Sequence, residues 1–197
     1  MDDVTAAGPA KQARRRDAAR NRVAILEVAH ALLSESPTVS MNEIGKKAGV
    51  GAGTLYRHFP TREDLILAVY RHDIRRLVDS VDAMLVEHAP IDAFKYWFDT
   101  LADYIRVKHG LGEALHSAAI QNAIDETYAP VVDAVRLLLD ACASSGEFRP
   151  DLDPADVLLL MGFLWRVGPT ADGRDQGRRV TEMVLTGLRV GPDNGNE

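Results

Sequence analysis

The chain has 197 residues, 46% of them apolar and 26% charged, with 23 Lys and Arg against 29 Asp and Glu for a formal charge of -6. That size suits one domain or two small ones with a sizeable core, and the near-average composition excludes a wholly disordered, collagen-like or low-complexity chain. The single cysteine, Cys142, excludes an internal disulfide and a cysteine-rich zinc cage; with no apolar run of membrane-span length and an acidic start at Met1-Asp2-Asp3, the sequence predicts a soluble cytoplasmic protein with no membrane association.

An acidic average argues against a nucleic-acid partner, but the charge is unevenly spread. Ala10 to Pro60 hold nine basic groups against four acids, a local excess of +5, whereas Thr61 to Glu197 carry 14 basic and 23 acidic groups. A basic block of this length matches the smallest DNA-binding modules, and the acidic remainder would be repelled by phosphates. Taken alone, the basic run Lys11 to Arg16 reads equally as a solvated tail.

In chain order, residues 1–10 are small and polar with Gly8-Pro9 and read as a disordered tail. Val23, Leu26, Ala29 and Leu33 recur at helical spacing, so Asp17 to Ser34 is predicted to be an amphipathic helix that stops before Pro37. Ser40-Met41-Asn42-Glu43 is a capping box that opens a short second helix to Ala48, after which Gly49 supplies a left-handed residue and Val50 packs inward. A third short helix is expected over Ala52 to His58, and Thr61-Arg62-Glu63-Asp64 caps a fourth running to about His88. Beyond Pro90, the stripe Ile91, Phe94, Trp97, Phe98, Leu101, Tyr104 and Ile105 predicts a helix broken at Gly110 and Gly112. A short helix over Glu113 to Ser117 follows, then a longer one carrying Val131, Val135, Leu138 and Cys142 up to Gly146. Asp153-Pro154-Ala155-Asp156 is a strong helix start, opening a nearly apolar helix to about Val167. Asp172 to Arg179 reads as a loop leading into a last helix, Gln176 to Leu188, and residues 191–197 as a frayed tail. The sum is an all-α chain of about nine helices with no sheet.

Ser40 to Phe59, SMNEIGKKAGVGAGTLYRHF, has helix-turn-helix spacing: a capped helix, a glycine turn, a buried apolar residue, and a short second helix of the width a major groove admits. Its continuation, AGVGAGTLYRHFPTREDLI, closely resembles the DNA-binding signature of the TetR family of transcriptional repressors, with Ala48, Gly49, Val50, Gly53, Thr54, Leu55, Tyr56, His58 and Phe59 in register. The motif-level resemblance covers roughly Ala18 to Tyr70. Two departures stand out: Gly51 where the family commonly has a capping serine, and Arg62 where it has lysine. Gly45, where alanine is common, is expected to loosen the second helix.

The residues and the resemblance together divide the chain into a DNA-binding domain over 11–60, with its motif at about 40–59, and a ligand-binding and dimerisation domain over 61–190. Gly51, Ala52 and Gly53 present almost no side chain and allow close approach to DNA, while Thr54 offers a hydroxyl and a methyl to a base pair. The family pattern implies that Tyr56 and His58 donate to phosphates. Arg57 is a candidate for guanine or for phosphate, and Arg62 for a two-pronged phosphate contact. Amides at Ser40, Met41, Thr61 and Arg62 can hold phosphates at helix N-termini, and the run containing Arg14, Arg15 and Arg16 reads as an arm over the adjacent groove or backbone.

The resemblance further implies a homodimer on double-stranded, palindromic operator DNA, released by a small hydrophobic or aromatic effector; an activator or a ligand-independent repressor is the alternative. Candidate cavity residues are Met84, Trp97, Phe98, Tyr104, His116, Tyr128, Met161 and Trp165, with His116 and Tyr128 as polar anchors, although each also suits plain core. Leu160, Phe163, Leu164, Val180, Met183, Val184 and Leu188 are expected at the dimer interface. No cofactor or metal is expected. The six histidines are scattered without a metal-binding pair, and no nucleophile or phosphate-loop motif occurs, which argues against an enzyme. A helical module for protein partners alone would not need the basic first 60 residues.

Overall fold

The structure, a computed structural model, describes residues 9–36, 38–109, 118–168 and 170–190. Among these, nine α-helices follow one another: α1 (Pro9–Glu35), α2 (Met41–Lys47), α3 (Ala52–His58), α4 (Arg62–Asp79), α5 (Val81–Glu87), α6 (Pro90–His109), α7 (Ala118–Ser144), α8 (Pro154–Leu160) and α9 (Ala171–Leu188). A 3-10 helix, Met161–Trp165, continues directly from α8. The one β contact among the described residues is an isolated bridge between Phe148 and Arg189. The chain divides into two compact units, residues 1–69 and 70–197, so the boundary falls inside α4 between Val69 and Tyr70 rather than at Thr61.

The first unit buries Ile25, Leu26, Ala29 and Leu33 of α1, Ile44 of α2, Leu55 of α3 and Leu65 of α4, all nearly or wholly inaccessible, while Val23 is 43% exposed and stands outside that stripe. α1 begins earlier than its apolar periodicity indicates. Pro9 and Ala10 are already helical, and the basic run Lys11 to Arg16 is a helical extension rather than an extended arm. Alanine, glutamine and arginine are strong helix formers, and proline fits the first helical turn, where its missing N–H costs nothing.

The second unit is centred on aromatic packing. Phe94 meets Phe98 at 4.7 Å between centroids and Phe148 edge-on at 5.2 Å, and Trp97 meets Phe98 edge-on at 5.1 Å. The Trp97 indole N–H donates to the Leu77 carbonyl at 3.1 Å, so its polar atom is satisfied inside the core. α6 packs against α5, α7 and the 3-10 helix, and α7 against α8. Pro130 lies inside α7 and removes one amide from its ladder. Gly146, at φ 78°, ends that helix, with the Glu147 amide returning to the Cys142 carbonyl at 2.9 Å.

Three boundaries depart from the sequence reading. The helix expected from Thr61 to His88 breaks at Ser80, whose hydroxyl donates to the Leu77 carbonyl at 2.7 Å and competes with the helical ladder. The helix from Pro154 tightens to 3-10 geometry at Met161 instead of running on to Val167. Asp172 to Arg179 is helical, not a loop: Thr170 caps α9 by accepting from the Gly173 amide at 3.1 Å, and Gly173 and Gly177 face inward. A Cβ on Gly173 would stand 2.2 Å from the Gly168 carbonyl oxygen, so this glycine permits a close backbone approach, and neither it nor Gly177 marks a break. Among the described residues α5 is a helix the sequence reading did not separate from α4, while the helix predicted over Glu113 to Ser117 lies outside the described residues.

Candidate functional site

The helix-turn-helix is assembled by local rules. The Ser40 hydroxyl accepts from the Glu43 amide at 3.2 Å and starts α2. Gly49, at φ 69°, ends it, with the Val50 amide reaching back to the Gly45 carbonyl at 3.0 Å; Val50 itself is half-buried. α3 then begins at Gly51, whose extended backbone carries no side-chain cap. Ile44, Gly45 and Leu55 form the internal face of the pair. A Cβ at Gly45 would lie 3.2 Å from Leu55 Cδ2, so the glycine lets α2 and α3 pack closely; its role is contact, where the sequence suggested only a looser helix.

The outer face of α3 carries the expected group. Gly51, Ala52, Gly53, Tyr56 and Arg57 are exposed, and Thr54 and His58 are partly so. The Arg57 guanidinium lies along the helix, donating from Nε to the Gly53 carbonyl at 2.8 Å and from a terminal nitrogen to Thr54 Oγ1 at 3.2 Å. Arginine and threonine thus present one joint surface. Leu55 and Phe59 are buried. The next helix starts with a reciprocal cap: Asp64 accepts from the Thr61 amide and hydroxyl at 3.1 and 2.8 Å, and the Asp64 amide donates to Thr61 Oγ1 at 3.1 Å.

Two arginines hold this unit together. Arg22 of α1 stacks over the Phe59 ring at 5.3 Å, and Arg62 donates to the Val39 carbonyl. Arg62 therefore spends one of its donors inside the unit, where the sequence offered it wholly to phosphate. Arg16 is exposed on α1, whereas the side chains of Arg14 and Arg15 lie outside the described set. Met41 buries its side chain, leaving its amide as the candidate contact.

The second unit contains a cavity of about 410 Å³ lined by Tyr70, Ile74, Leu101, Ile124, Thr127, Tyr128, Val131, Ala155, Leu158, Leu159 and Gly162. Of the six described side chains among the eight expected to line a cavity, Tyr128 alone is part of this wall. Trp97, Phe98 and Met161 are fully buried core, because their neighbours on adjacent helices close over them. Met84 packs at the Ser80 break, its sulfur 3.8 Å from the serine hydroxyl oxygen. Tyr104 is half-buried away from the cavity, its phenol pKa pushed up by burial and by the charge of Asp73. His116 and the side chain of Trp165 lie outside the described residues. Sequence reasoning missed Tyr70 and Thr127, whose hydroxyls meet at 3.0 Å across 57 residues of chain; no local pattern announces that pair. Burial raises the Tyr70 pKa, and the bond to Thr127 only partly offsets it.

Of the seven expected interface residues, Leu160 is 56% and Met183 71% exposed, and Phe163, Val180 and Val184 are half-buried. Leu164, on the 3-10 helix, and Leu188, at the end of α9, are instead core, at 2% and 3% exposure. Among the described residues no cluster of His, Cys, Asp and Glu is arranged to hold a metal, and no helix is long and apolar enough to cross a membrane.

An N-terminal helix-turn-helix followed by a helical domain with its own cavity defines a transcriptional regulator with a DNA-binding head. Comparison with known proteins makes this particular. Residues 25–69 match the family described as bacterial regulatory proteins, tetR family, and residues 89–190 match the C-terminal domain of SbtR-like transcriptional regulators. A TetR transcriptional regulator of Streptomyces coelicolor is 36% identical, with 87% of this chain and 99% of that one superposed at a TM-score of 0.73. A TetR regulatory protein of Mycobacterium vanbaalenii is 34% identical, covering 89% and 99% at a TM-score of 0.69. A helix-turn-helix-type transcriptional regulator of Staphylococcus aureus is 36% identical over 93 residues, 46% of this chain and 50% of its own. The chain thus spans half the length of that curated relative, and 34% of others from the same species. The chain belongs to the TetR family of transcriptional regulators.

Proposed function

We propose that this protein is a homodimeric repressor that binds a palindromic operator through α3 and is released when a small, largely apolar molecule occupies the cavity lined by Tyr70 and Thr127. The observation that carries the DNA-binding part is the outer face of α3: three small residues at its start, then Thr54, Tyr56 and Arg57 exposed on a helix held rigidly from behind. The glycines allow close approach, the Arg57–Thr54 pair meets base edges, and Tyr56 and His58 position the helix on phosphates. Exposed Leu160 and Met183 support a second copy as partner, because apolar side chains this open gain from burial. Dimerisation would place two recognition helices about 34 to 36 Å apart, one turn of DNA. Acting on chromosomal DNA, such a protein would work in the cytoplasm.

Fluorescence anisotropy with duplexes tiled across the DNA upstream of the protein's own gene tests the reading. A single duplex bound far more tightly than the rest, with binding lost in Arg57→Ala and Tyr56→Ala, is the expected result. Equal affinity for every duplex, or none at low salt, would sink it.

A further inference from the structure

The cavity has a consistent chemistry. Its described lining includes no charged side chain; Tyr70, Ile74, Leu101, Val131 and Leu158 are all below 10% exposure while Tyr128 and Leu159 stand exposed, so a guest would be desolvated where it meets the buried part of the wall. The cation nearest in sequence, Arg71, is paired with Glu126 at 2.9 Å and is not part of the wall. A carboxylate or phosphate placed here would lose its water without gaining a cationic partner among the described lining residues. Polarity is concentrated at one spot. Thr127 Oγ1 donates to the Ile124 carbonyl at 3.1 Å, which leaves Tyr70 as the donor in the 3.0 Å bond between the two hydroxyls. That ordering fixes the phenol against the cavity wall, and Tyr128, half-exposed, adds an aromatic face nearer solvent. A volume of about 410 Å³ lies within the ordinary range for small-molecule sites.

From this geometry we infer that the effector is an uncharged, mostly apolar small molecule carrying one hydrogen-bond donor, and that this donor is read by the Tyr70 hydroxyl oxygen, held in place by Thr127. The inference deepens the proposed function and rests on its placing the effector in this cavity. Tyr70 is the first residue of the second unit and lies on α4, the helix that begins in the first. A guest that engages its hydroxyl therefore acts directly on that helix.

Three matched probes test the inference by calorimetric titration of the DNA-free protein: 4-butylphenol, butylbenzene and 4-butylbenzoate. The phenol is expected to bind about three- to tenfold more tightly than butylbenzene, one hydrogen bond's worth, and the benzoate about tenfold or more weaker than the phenol. Tyr70→Phe, which removes one oxygen and keeps the ring, is expected to erase the preference for the phenol while leaving butylbenzene unchanged. Thr127→Val does the same by releasing the phenol from its fixed orientation, and serves if Tyr70→Phe unfolds. Tightest binding by the benzoate, a preference that survives both substitutions, or no saturable binding by any probe overturns the inference. Repeating the titration in the presence of operator DNA separates the two readings. If the phenol binds with the expected pattern but leaves DNA affinity unchanged, the ligand chemistry stands and release by ligand fails.

Discussion

Gly51 opens the recognition helix with a backbone at φ -68° and ψ 151°, and a Cβ there would meet nothing within 4 Å. A serine hydroxyl at this position can therefore accept from the first-turn amides without strain, so Gly51→Ser is expected to raise stability by a few tenths of a kcal/mol. Thermal unfolding measures this directly, and a lowered midpoint would show that the bare start of the helix is required by the fold. Cys142 presents the opposite case, a side chain closed off completely. Burial, with the charge of Glu147 as a lesser cause, pushes its thiol from 9.0 up to about 12. The unfolded thiol ionises near 9.0 while the folded one keeps its proton, so between these values the folded state holds more protons and the contribution to stability falls as pH rises. Native protein at pH 8 is expected to resist iodoacetamide and to become reactive only on unfolding; rapid labelling of the folded protein would contradict the burial.

Helices in this protein are placed by their apolar stripes, with glycine contacts and arginine braces adding to them. Gly173→Ala forces the start of α9 away from the Gly168 carbonyl and is expected to cost about 1 to 3 kcal/mol, read from denaturant unfolding. In α1 the basic run is helical, so its charges move with the helix instead of trailing as a tail. Replacing Arg14, Arg15 and Arg16 together with alanine is expected to weaken binding to all duplexes alike and to reduce the slope of log affinity against log salt by about 2 to 3, with sequence preference retained. A changed preference would mean that the helical extension reads bases. Arg22 and Arg62 differ from these three in kind. Each makes a contact inside the first unit, so its removal should lower stability as well as DNA affinity.

At the scale of the whole molecule, charge and exposed surface carry the expectations. The charge of -6 combines a basic first segment with an acidic remainder, which is expected to favour DNA contact by the first segment over the rest. The double substitution Leu160→Glu with Met183→Glu should leave a folded chain, since both side chains are open, but halve the mass seen by sedimentation and weaken operator binding sharply. A dimer that persists would place the interface elsewhere. The helix-turn-helix was fully legible because its signals are local: Ser40 caps within three residues, Gly49 turns the chain, and the small residues of α3 lie in one run. The cavity was not, since Tyr70 and Thr127 sit 57 residues apart and each looks like an ordinary member of its helix. The same limit applies to Trp97 and Phe98, whose size suggested a cavity wall although packing made them core. It applies also to Asp172 to Arg179, where two glycines suggested a loop but stand inside α9, one of them, Gly173, close against the Gly168 carbonyl. The sequence by itself determined the helical class, the caps at Ser40 and Asp153 and the turn at Gly49, since interactions a few residues apart specify them. Only the tertiary structure decided which apolar side chains fill the core, which line a cavity and which stay exposed, because burial depends on neighbours that the chain brings together only on folding.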